Sequence, residues 1–224
     1  MDALIFDFDG VVVDSEPVHL ASFQQVLGPA GIEMSQTVYY TKYLGFDDRD
    51  AIRVCAADQG VELSEAQVVA LIEAKTRLVH ELFSDGIAAL PGVVKLIHEA
   101  HGADVPLGIC SGALLAEIEQ AARTVGVWDC FDVVIPAEDV SRGKPDPSGY
   151  ELTRTRLAEA RECPVAAERC VVVEDSPAGI EAAHAAGMRV LAVTNSYPAD
   201  ALAAAERIVA SLQDVDLAAL AELY

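Results

Sequence analysis

Basic residues are scarce in this 224-residue chain. Only 15 lysines and arginines stand against 36 aspartates and glutamates, which leaves a formal net charge of −21. Because nucleic-acid-binding proteins need a basic face, this balance argues against a nucleic-acid partner. An anionic substrate would also be repelled at long range, so a local cation and a few placed basic side chains would have to hold it.

Long apolar runs are absent as well. No run approaches the roughly 20 residues of a membrane-spanning helix, and no basic segment followed by an apolar one marks a secretion signal at the start. We therefore expect no membrane partner. The scattered cysteines predict a cytoplasmic protein, and either a monomer or a homodimer is compatible with the sequence. The few cysteines lack metal-ligand spacing and are interpreted as reduced core thiols. They are Cys55, Cys110, Cys130, Cys163 and Cys170.

Five short apolar runs predict buried parallel strands, at residues 3–8, 105–110, 133–136, 170–174 and 189–193. Helical patterns separate most of these runs, which indicates βαβ units. We therefore predict an α/β fold, a three-layer Rossmann-like core with a mostly parallel sheet. The Ala-rich tail from Asp200 is predicted to be helical.

The stretch between the first two runs is too long for one crossover, and its patterns are helical. Leu20, Phe23 and Leu27 recur at helical spacing, and Ser64 with Gln67 forms a capping box before a second helix. We predict an all-helical domain inserted at residues 15–87. The α/β core would then be formed by residues 1–14 and 88–224.

Two aspartates, Asp7 and Asp9, mark the end of the first run, and Gly10 follows them. Successive strand residues point to opposite faces, so these two side chains should share one side. Like charges about 4 Å apart repel by about 4 kcal/mol at an effective dielectric near 20. A fold accepts that cost more readily where a cation is bound or a carboxylate does chemistry.

Polar residues also follow three later runs. Ser111 and Gly112 come after the second run, Lys144 lies in the loop after the third, and Glu174 and Asp175 end the fourth. Since ligands bind outside the carboxyl ends of strands in open parallel sheets, we expect these residues to converge on one crevice.

Each cluster also has a purely structural alternative. Asp9 could belong to a simple turn, and Ser111 could cap a following helix. Lys144 could be a solvated base, while Glu174 and Asp175 could favour the dipole of the next helix. Four such coincidences at the strand ends of one sheet favour the functional interpretation.

The acidic residues in this arrangement fit phosphoryl transfer. Asp7 would be the nucleophile that forms an aspartyl-phosphate. Asp9 would first protonate the leaving oxygen and then activate water. Asp7, the backbone carbonyl of Asp9, Asp175 and Glu174 would hold Mg²⁺, a cation that prefers oxygen ligands.

The remaining polar residues would bind the phosphoryl group. Ser111 would donate a hydrogen bond to its oxygens alongside backbone N–H groups, and Gly112 is placed beside it in the substrate site. Lys144 would neutralise charge on the nucleophile and on the phosphoryl group.

Four ordered segments carry a family resemblance. Residues 7–16 (DFDGVVVDSE), 110–112 (CSG), 143–147 (GKPDP) and 174–179 (EDSPAG) resemble the motifs of the haloacid dehalogenase-like superfamily. The resemblance covers essentially the whole chain. It is closest to the branch with a helical cap inserted after the first strand, which includes beta-phosphoglucomutase-like and phosphoglycolate phosphatase-like enzymes.

The resemblance implies a phosphatase or a phosphomutase. Dehalogenases of this superfamily lack an acid/base aspartate at the position of Asp9, and phosphonatases have a small residue there. We expect a Mg²⁺-dependent phosphatase of a small phosphorylated metabolite, either a sugar phosphate or a phosphoglycolate-like acid. The alternative is a phosphomutase of the beta-phosphoglucomutase type.

The resemblance also points to three substrate-binding residues in the helical insertion. Lys75 lies on an apolar helix stripe, where it would either snorkel to solvent or meet a substrate phosphate or carboxylate. Arg49, in a segment that begins at Gly45, is similar to a basic residue of the family's cap loop, with spacing that differs by one residue. His19 either matches a hinge-region histidine or is an ordinary polar helix residue.

Signalling receiver domains share the acidic cluster, the phosphorylated aspartate and the lysine. They are about half this length, lack a helical insertion and carry the phosphorylated aspartate after a middle strand. The order of the motifs in this chain therefore argues against a receiver.

Overall fold

A six-stranded parallel sheet forms the centre of the larger of two compact units in the computed structural model, which describes residues 1–44, 46–84 and 86–224. The larger unit comprises Met1–Asp14 and Ile87–Tyr224, and the smaller comprises Ser15–Gly86. The smaller unit thus ends one residue before the predicted boundary at 87. That it acts as a cap domain stays a prediction.

The predicted α/β fold is confirmed by the order of the strands, which is β3-β2-β1-β4-β5-β6. All neighbouring strands pair in parallel, and β1 lies between β2 and β4. The strands are β1 (Ala3–Phe6), β2 (Leu107–Cys110), β3 (Val133–Ile135), β4 (Cys170–Glu174), β5 (Arg189–Val193) and β6 (Arg207–Val209).

Strand register aligns the carboxyl ends of the central strands. Phe6, the last residue of β1, pairs with Ile109 of β2 and Val173 of β4, and Val173 pairs in turn with Leu191 of β5. Each central strand is an apolar run that is buried from end to end, as expected of strands covered on both faces. The polar residues that follow these strands therefore begin at one level.

Within the described residues, the two units contain nine α-helices. In the smaller unit they are α1 (Glu16–Leu27), α2 (Gln36–Val38), α3 (Asp48–Asp58) and α4 (Glu65–Ser84), and in the larger unit α5 (Val93–Gly102), α6 (Leu115–Thr124), α7 (Ser148–Ala160), α8 (Pro177–Ala185) and α9 (Leu217–Ala221). The core under α7 and α8 joins Ile5, Val172, Leu157 and Ile180.

Three sequence-based expectations for the larger unit are wrong in detail. The tail from Asp200 is not a continuous helix, because it contains β6 and the short helix α9. The first strand ends at Phe6 rather than at residue 8. Cys163 is exposed and is not a core thiol, although the other four cysteines are buried. Within the described residues, no helix is long and apolar enough to cross a membrane.

The regular elements described in the smaller unit are all helices, joined by loops that include residues 61–64. Leu20, Phe23 and Leu27 of α1 are buried in its core. The predicted capping box is present, because Gln67 Oε1 accepts a hydrogen bond from Ser64 N at 2.9 Å and Ser64 Oγ accepts one from Gln67 N at 3.4 Å. This box fixes the beginning of α4.

Two segments of the larger unit run side by side where the chain leaves the sheet and where it returns. Asp14 N donates to Ala88 O at 3.0 Å, and Leu90 N donates to Val12 O at 3.1 Å. Val13 and Ala89 form an antiparallel bridge between these two bonds. The backbone thus holds the two ends of the insertion together.

Candidate active site

The loop after β1 places the first pair of acidic residues. Phe8 O accepts hydrogen bonds from the backbone N–H groups of Val12 (2.8 Å) and Val13 (3.2 Å), and Gly10 has φ of +74°. Asp9 therefore lies in a tight turn, while Asp7 directly follows β1 and its backbone N–H donates to Val173 O at 3.0 Å. Asp7 is buried and Asp9 is half-buried, and the charge of Asp9 helps to raise the pKa of Asp7.

Lys144 reaches into this turn from the loop between β3 and α7. Its Nζ lies 2.7 Å from Asp7 Oδ1 and 2.7 Å from Glu174 Oε1. The lysine side chain is only 18% exposed, so the alternative of a solvated loop base is wrong. Burial lowers the pKa of Lys144, but the charges of Asp7 and Glu174 outweigh it and hold that pKa well above its usual value.

Glu174, the last residue of β4, is fully buried and accepts hydrogen bonds on both carboxylate oxygens. Oε1 accepts from Lys144 and from Tyr150 Oη at 2.8 Å. Oε2 accepts from Asp175 N at 2.9 Å, Ser176 N at 3.0 Å and Ser176 Oγ at 2.9 Å. Burial opposes ionisation, yet Lys144 and these donors hold the pKa of Glu174 below its usual value. Both carboxylate oxygens of Glu174 thus accept hydrogen bonds, and its predicted role as a metal ligand stays a prediction.

Asp175 lies next to Glu174 in the turn that leads into α8. Its Oδ2 accepts a hydrogen bond from Ser196 Oγ. Burial raises the pKa of Asp175, and the charges of Asp7 and Glu174 raise it further. Ser176 caps α8 by accepting a hydrogen bond from a backbone N–H, so the predicted helix cap and the acidic pair occur together.

Asp7, Glu174 and Asp175 form a cluster in which one carboxylate oxygen of each residue lies within 4.8 Å of the other two. Asp9 contributes no side-chain oxygen to this cluster within the described part of the chain. Among the described residues, Lys144 is the ammonium group that contacts this cluster, so full ionisation of the three carboxylates would leave excess negative charge. Burial accordingly raises the pKa of Asp7 to about 7, with Lys144 opposing and Glu174 adding to the shift. Oxygen donors with uncompensated negative charge fit a hard divalent cation such as Mg²⁺.

Ser111 follows β2 and is buried. Its Oγ accepts a hydrogen bond from Ala113 N at 3.0 Å. The alternative that it caps the next helix is wrong, because α6 begins at Leu115 with Leu114 in the cap position. Gly112 is exposed, and a methyl group built on it would meet no atom within 4 Å.

Two of the substrate-binding residues predicted in the helical unit, Lys75 and His19, lie together in a buried cluster. Lys75 Nζ contacts Asp48 and lies 3.1 Å from His19 Nδ1. Lys75 Nζ also lies 4.4 Å from the centre of the Phe23 ring. The side chain of Lys75 is 4% exposed, so the snorkelling alternative is wrong. Burial lowers the pKa of His19 to about 3, and the charge of Lys75 adds to that shift.

Arg49 is the exposed member of the predicted set. Its guanidinium pairs with Glu65, which also pairs with Arg53. Gly45, the glycine of the predicted cap loop, lies outside the described residues. Whether Arg49, Lys75 and His19 bind substrate stays a prediction.

Three residues at the site escaped the sequence analysis. Tyr150 donates to Glu174, Ser196 donates to Asp175, and Asn195 Nδ2 donates to Gly10 O at 2.7 Å. Asn195 and Ser196 follow β5, so the rule that ligands gather at strand ends would have found them. Tyr150 carries no such signal, because its ring belongs to the apolar face of α7.

Comparisons with known proteins agree with this architecture. A family model described as haloacid dehalogenase-like hydrolase matches residues 4–193. The fructose-1-phosphate phosphatase YqaB of Escherichia coli (strain K12) is 32% identical over 187 residues, which cover 83% of this chain and 92% of that protein.

Two solved structures are similar along nearly the whole chain. CbbY from Rhodobacter sphaeroides in complex with phosphate has a TM-score of 0.84 and 26% identity, covering 98% of this chain and 99% of that chain. The beta-phosphoglucomutase of Clostridium difficile has a TM-score of 0.82 and 22% identity, covering 100% and 97%. The second likeness supports the fold alone.

Proposed function

This chain is a member of the haloacid dehalogenase-like hydrolase family, and on that premise we propose that it is a Mg²⁺-dependent phosphatase. Its substrate would be a small phosphorylated metabolite, either a sugar phosphate or a phosphoglycolate-like acid. The observation that carries the proposal is the buried contact of Asp7 with Lys144 inside a cluster of carboxylates. The phosphatase YqaB and the phosphate complex of CbbY support the same class of reaction.

The metal would be held by the acidic cluster. Asp7 and Asp175 would supply carboxylate oxygens and Asp9 its backbone carbonyl, while Glu174 would keep Lys144 and the adjoining turn in place. When bound, Mg²⁺ would offset the negative charge that Asp7 and a phosphate group bring together.

The reaction itself would use side chains of the turn after β1. One carboxylate oxygen of Asp7 attacks phosphorus as the bond from phosphorus to the ester oxygen breaks, and Asp9 gives its proton to that oxygen. Asp9 then takes a proton from water, whose oxygen attacks phosphorus. The bond from Asp7 to phosphorus breaks, so inorganic phosphate leaves and the carboxylate is restored.

Two further groups would hold the phosphoryl oxygens. Ser111 would donate from its hydroxyl and Gly112 from its backbone N–H, and Lys144 would stabilise the negative charge that develops during the transfer. Lys144 is already fixed between Asp7 and Glu174, so it would need little rearrangement.

The helical unit is proposed to act as a cap that selects the substrate. Lys75 and His19 would contact the substrate from the buried side of this cap. Arg49 would bind the substrate once its ion pair with Glu65 is broken. Substituting Lys75 or Arg49 by glutamine should therefore raise the KM of a good substrate more than it lowers kcat. A fall confined to kcat would contradict this assignment.

Phosphate release from a panel of small phosphate monoesters, with Mg²⁺ and with chelator, tests the proposal. We expect metal-dependent release that Asp7→Asn lowers by at least about 10⁴-fold, because the nucleophile is lost. Asp214→Asn, at an exposed aspartate between β6 and α9, is the matched control and should leave release unchanged. Release that survives in Asp7→Asn would exclude Asp7 as the nucleophile.

A phosphomutase would give a different result with the same enzyme. Hexose 1-phosphate supplied with a sugar bisphosphate would be converted to its isomer without stoichiometric release of phosphate. That outcome would keep the aspartyl-phosphate on Asp7 but replace water by the sugar as the final acceptor.

A further inference from the structure

Two adjacent residues after β5 donate hydrogen bonds to the turns that carry the acidic site. Ser196 Oγ donates to Asp175 Oδ2, and Asn195 Nδ2 donates to Gly10 O at 2.7 Å. β5 lies beside β4 in the sheet, with Ala192 opposite Glu174. These two hydrogen bonds therefore connect the end of β5 to the turns after both β4 and β1.

Gly10 shows how closely these turns are packed. A methyl group built on Gly10 would lie 1.9 Å from Asp175 Oδ2 and 2.7 Å from Ser196 Oγ. The absence of a side chain at Gly10 thus leaves the room in which Asp175 and Ser196 meet. Asn195 holds the same glycine by its carbonyl oxygen, so the backbone beside Asp9 is fixed from the same loop.

We propose that Ser196 is a positioning residue for the metal site: its hydroxyl occupies one oxygen of Asp175 and thereby directs the other toward the cation. Side chains that hydrogen-bond to a metal ligand without touching the metal orient that ligand in many proteins. A carboxylate that lost its donor could rotate about its terminal bond, which has only a broad intrinsic preference. Asn195 supports the arrangement by keeping Gly10 against the pair.

This inference rests on the proposed function, since it presupposes a cation at the acidic cluster. The probe is Mn²⁺ bound to the full chain in the absence of substrate, with free Mn²⁺ measured by electron paramagnetic resonance. Ser196→Ala should raise the Kd for Mn²⁺ by about tenfold, the lower end of the usual cost of losing such a donor.

Two further variants separate positioning from general structure. Ser211→Ala removes a hydroxyl that hydrogen-bonds to Pro91 O at 3.3 Å, away from the cluster, and should keep the wild-type Kd. Ser196→Thr retains a hydroxyl and should recover most of the affinity. Thermal unfolding of each variant establishes that it is folded.

The outcomes distinguish the two proposals. If the wild-type chain binds Mn²⁺ and Ser196→Ala binds it equally well, the positioning role is wrong and the proposed function stands. If the wild-type chain binds no Mn²⁺, the metal site and the positioning role both fail.

Discussion

Each of the two units buries one lysine against acidic residues, but the charge around the two lysines differs. In the larger unit, Lys144 bonds Asp7 and Glu174, and Asp175 belongs to the same cluster. In the helical unit, the carboxylate that Lys75 bonds among the described residues is that of Asp48, which is one-third exposed.

The other described partner of Lys75, His19, adds to the difference between the two lysine sites. Beside Lys75 stands His19, whose pKa is lowered to about 3 by burial, so the imidazole is neutral at physiological pH. Within the described contacts, Lys75 is therefore matched by one carboxylate, that of Asp48. If the three carboxylates around Lys144 were ionised together, their negative charge would exceed what this lysine offsets, and burial of unpaired charge is costly. Unbalanced burial of this kind points to a missing ligand, whereas a balanced network is stable without one.

Removing each lysine in turn gives the largest test of this contrast. Lys144→Met should lower kcat by about 10³-fold, equivalent to about 4 kcal/mol, because the charge on the phosphoryl group loses its fixed cation. Lys75→Met is the matched control, since it removes a lysine that is even more enclosed, with 4% of its side chain exposed against 18% for Lys144. It should act mainly on KM, as measured by steady-state phosphate release.

Equal losses of kcat in the two variants would contradict the assignment of chemistry to one cluster alone. Both variants should first be compared by circular dichroism, because each leaves a carboxylate without its partner.

Added Mg²⁺ should stabilise the larger unit and leave the helical network unaffected. At about 100 times its Kd, a ligand that binds only the native state adds about 2.7 kcal/mol to the free energy of unfolding. Asp175→Asn should lose most of this gain, and Lys75→Met should keep it. Thermal unfolding with MgCl₂, against NaCl at equal ionic strength, measures the difference, and an equal effect of both salts would indicate screening alone.

Acid should weaken the helical network through His19. The pKa of His19 is about 3 in the native state and about 6.5 when unfolded, so between these values only the unfolded chain binds the proton. The free energy of unfolding must therefore fall as the pH falls through this window, by about 2 kcal/mol between pH 6.5 and 5. This contribution is fully present only above pH 6.5.

His19→Gln removes the titrating imidazole. The free energy of unfolding of this variant should therefore fall less than that of the wild type between pH 6.5 and 5. Urea unfolding of both proteins at pH 7.5 and pH 5 gives the comparison. An identical fall in the two proteins would mean that His19 is accessible to protons in the native state.

Much of the larger unit's site could be predicted from the sequence because strand ends are readable. Apolar runs identify the strands, and parallel pairing brings the residues that follow them to one edge. This reasoning located Asp7, Lys144, Glu174 and Asp175, which the structure brings together.

The sequence was less informative where partners are distant or elements are short. Lys75 lies on an apolar stripe, but Asp48 and His19, which hold it, are 27 and 56 residues away. β6 has three half-buried residues that follow an Ala-rich segment, so local propensity favours helix. Pairing with β5 overrides that preference, and pairing across the sheet leaves no local pattern.

The bridge between Val13 and Ala89 has a consequence for engineering. Because the ends of the insertion are bonded within the larger unit, residues 15–86 are a cassette between two neighbouring attachment points. Such sites tolerate insertion and exchange. A chain with a short Gly/Ser linker in place of the cassette should retain its sheet by circular dichroism and unfold cooperatively, and loss of cooperativity would refute this modularity. Helical cassettes from relatives could then be grafted to change substrate preference while the catalytic sheet stays the same.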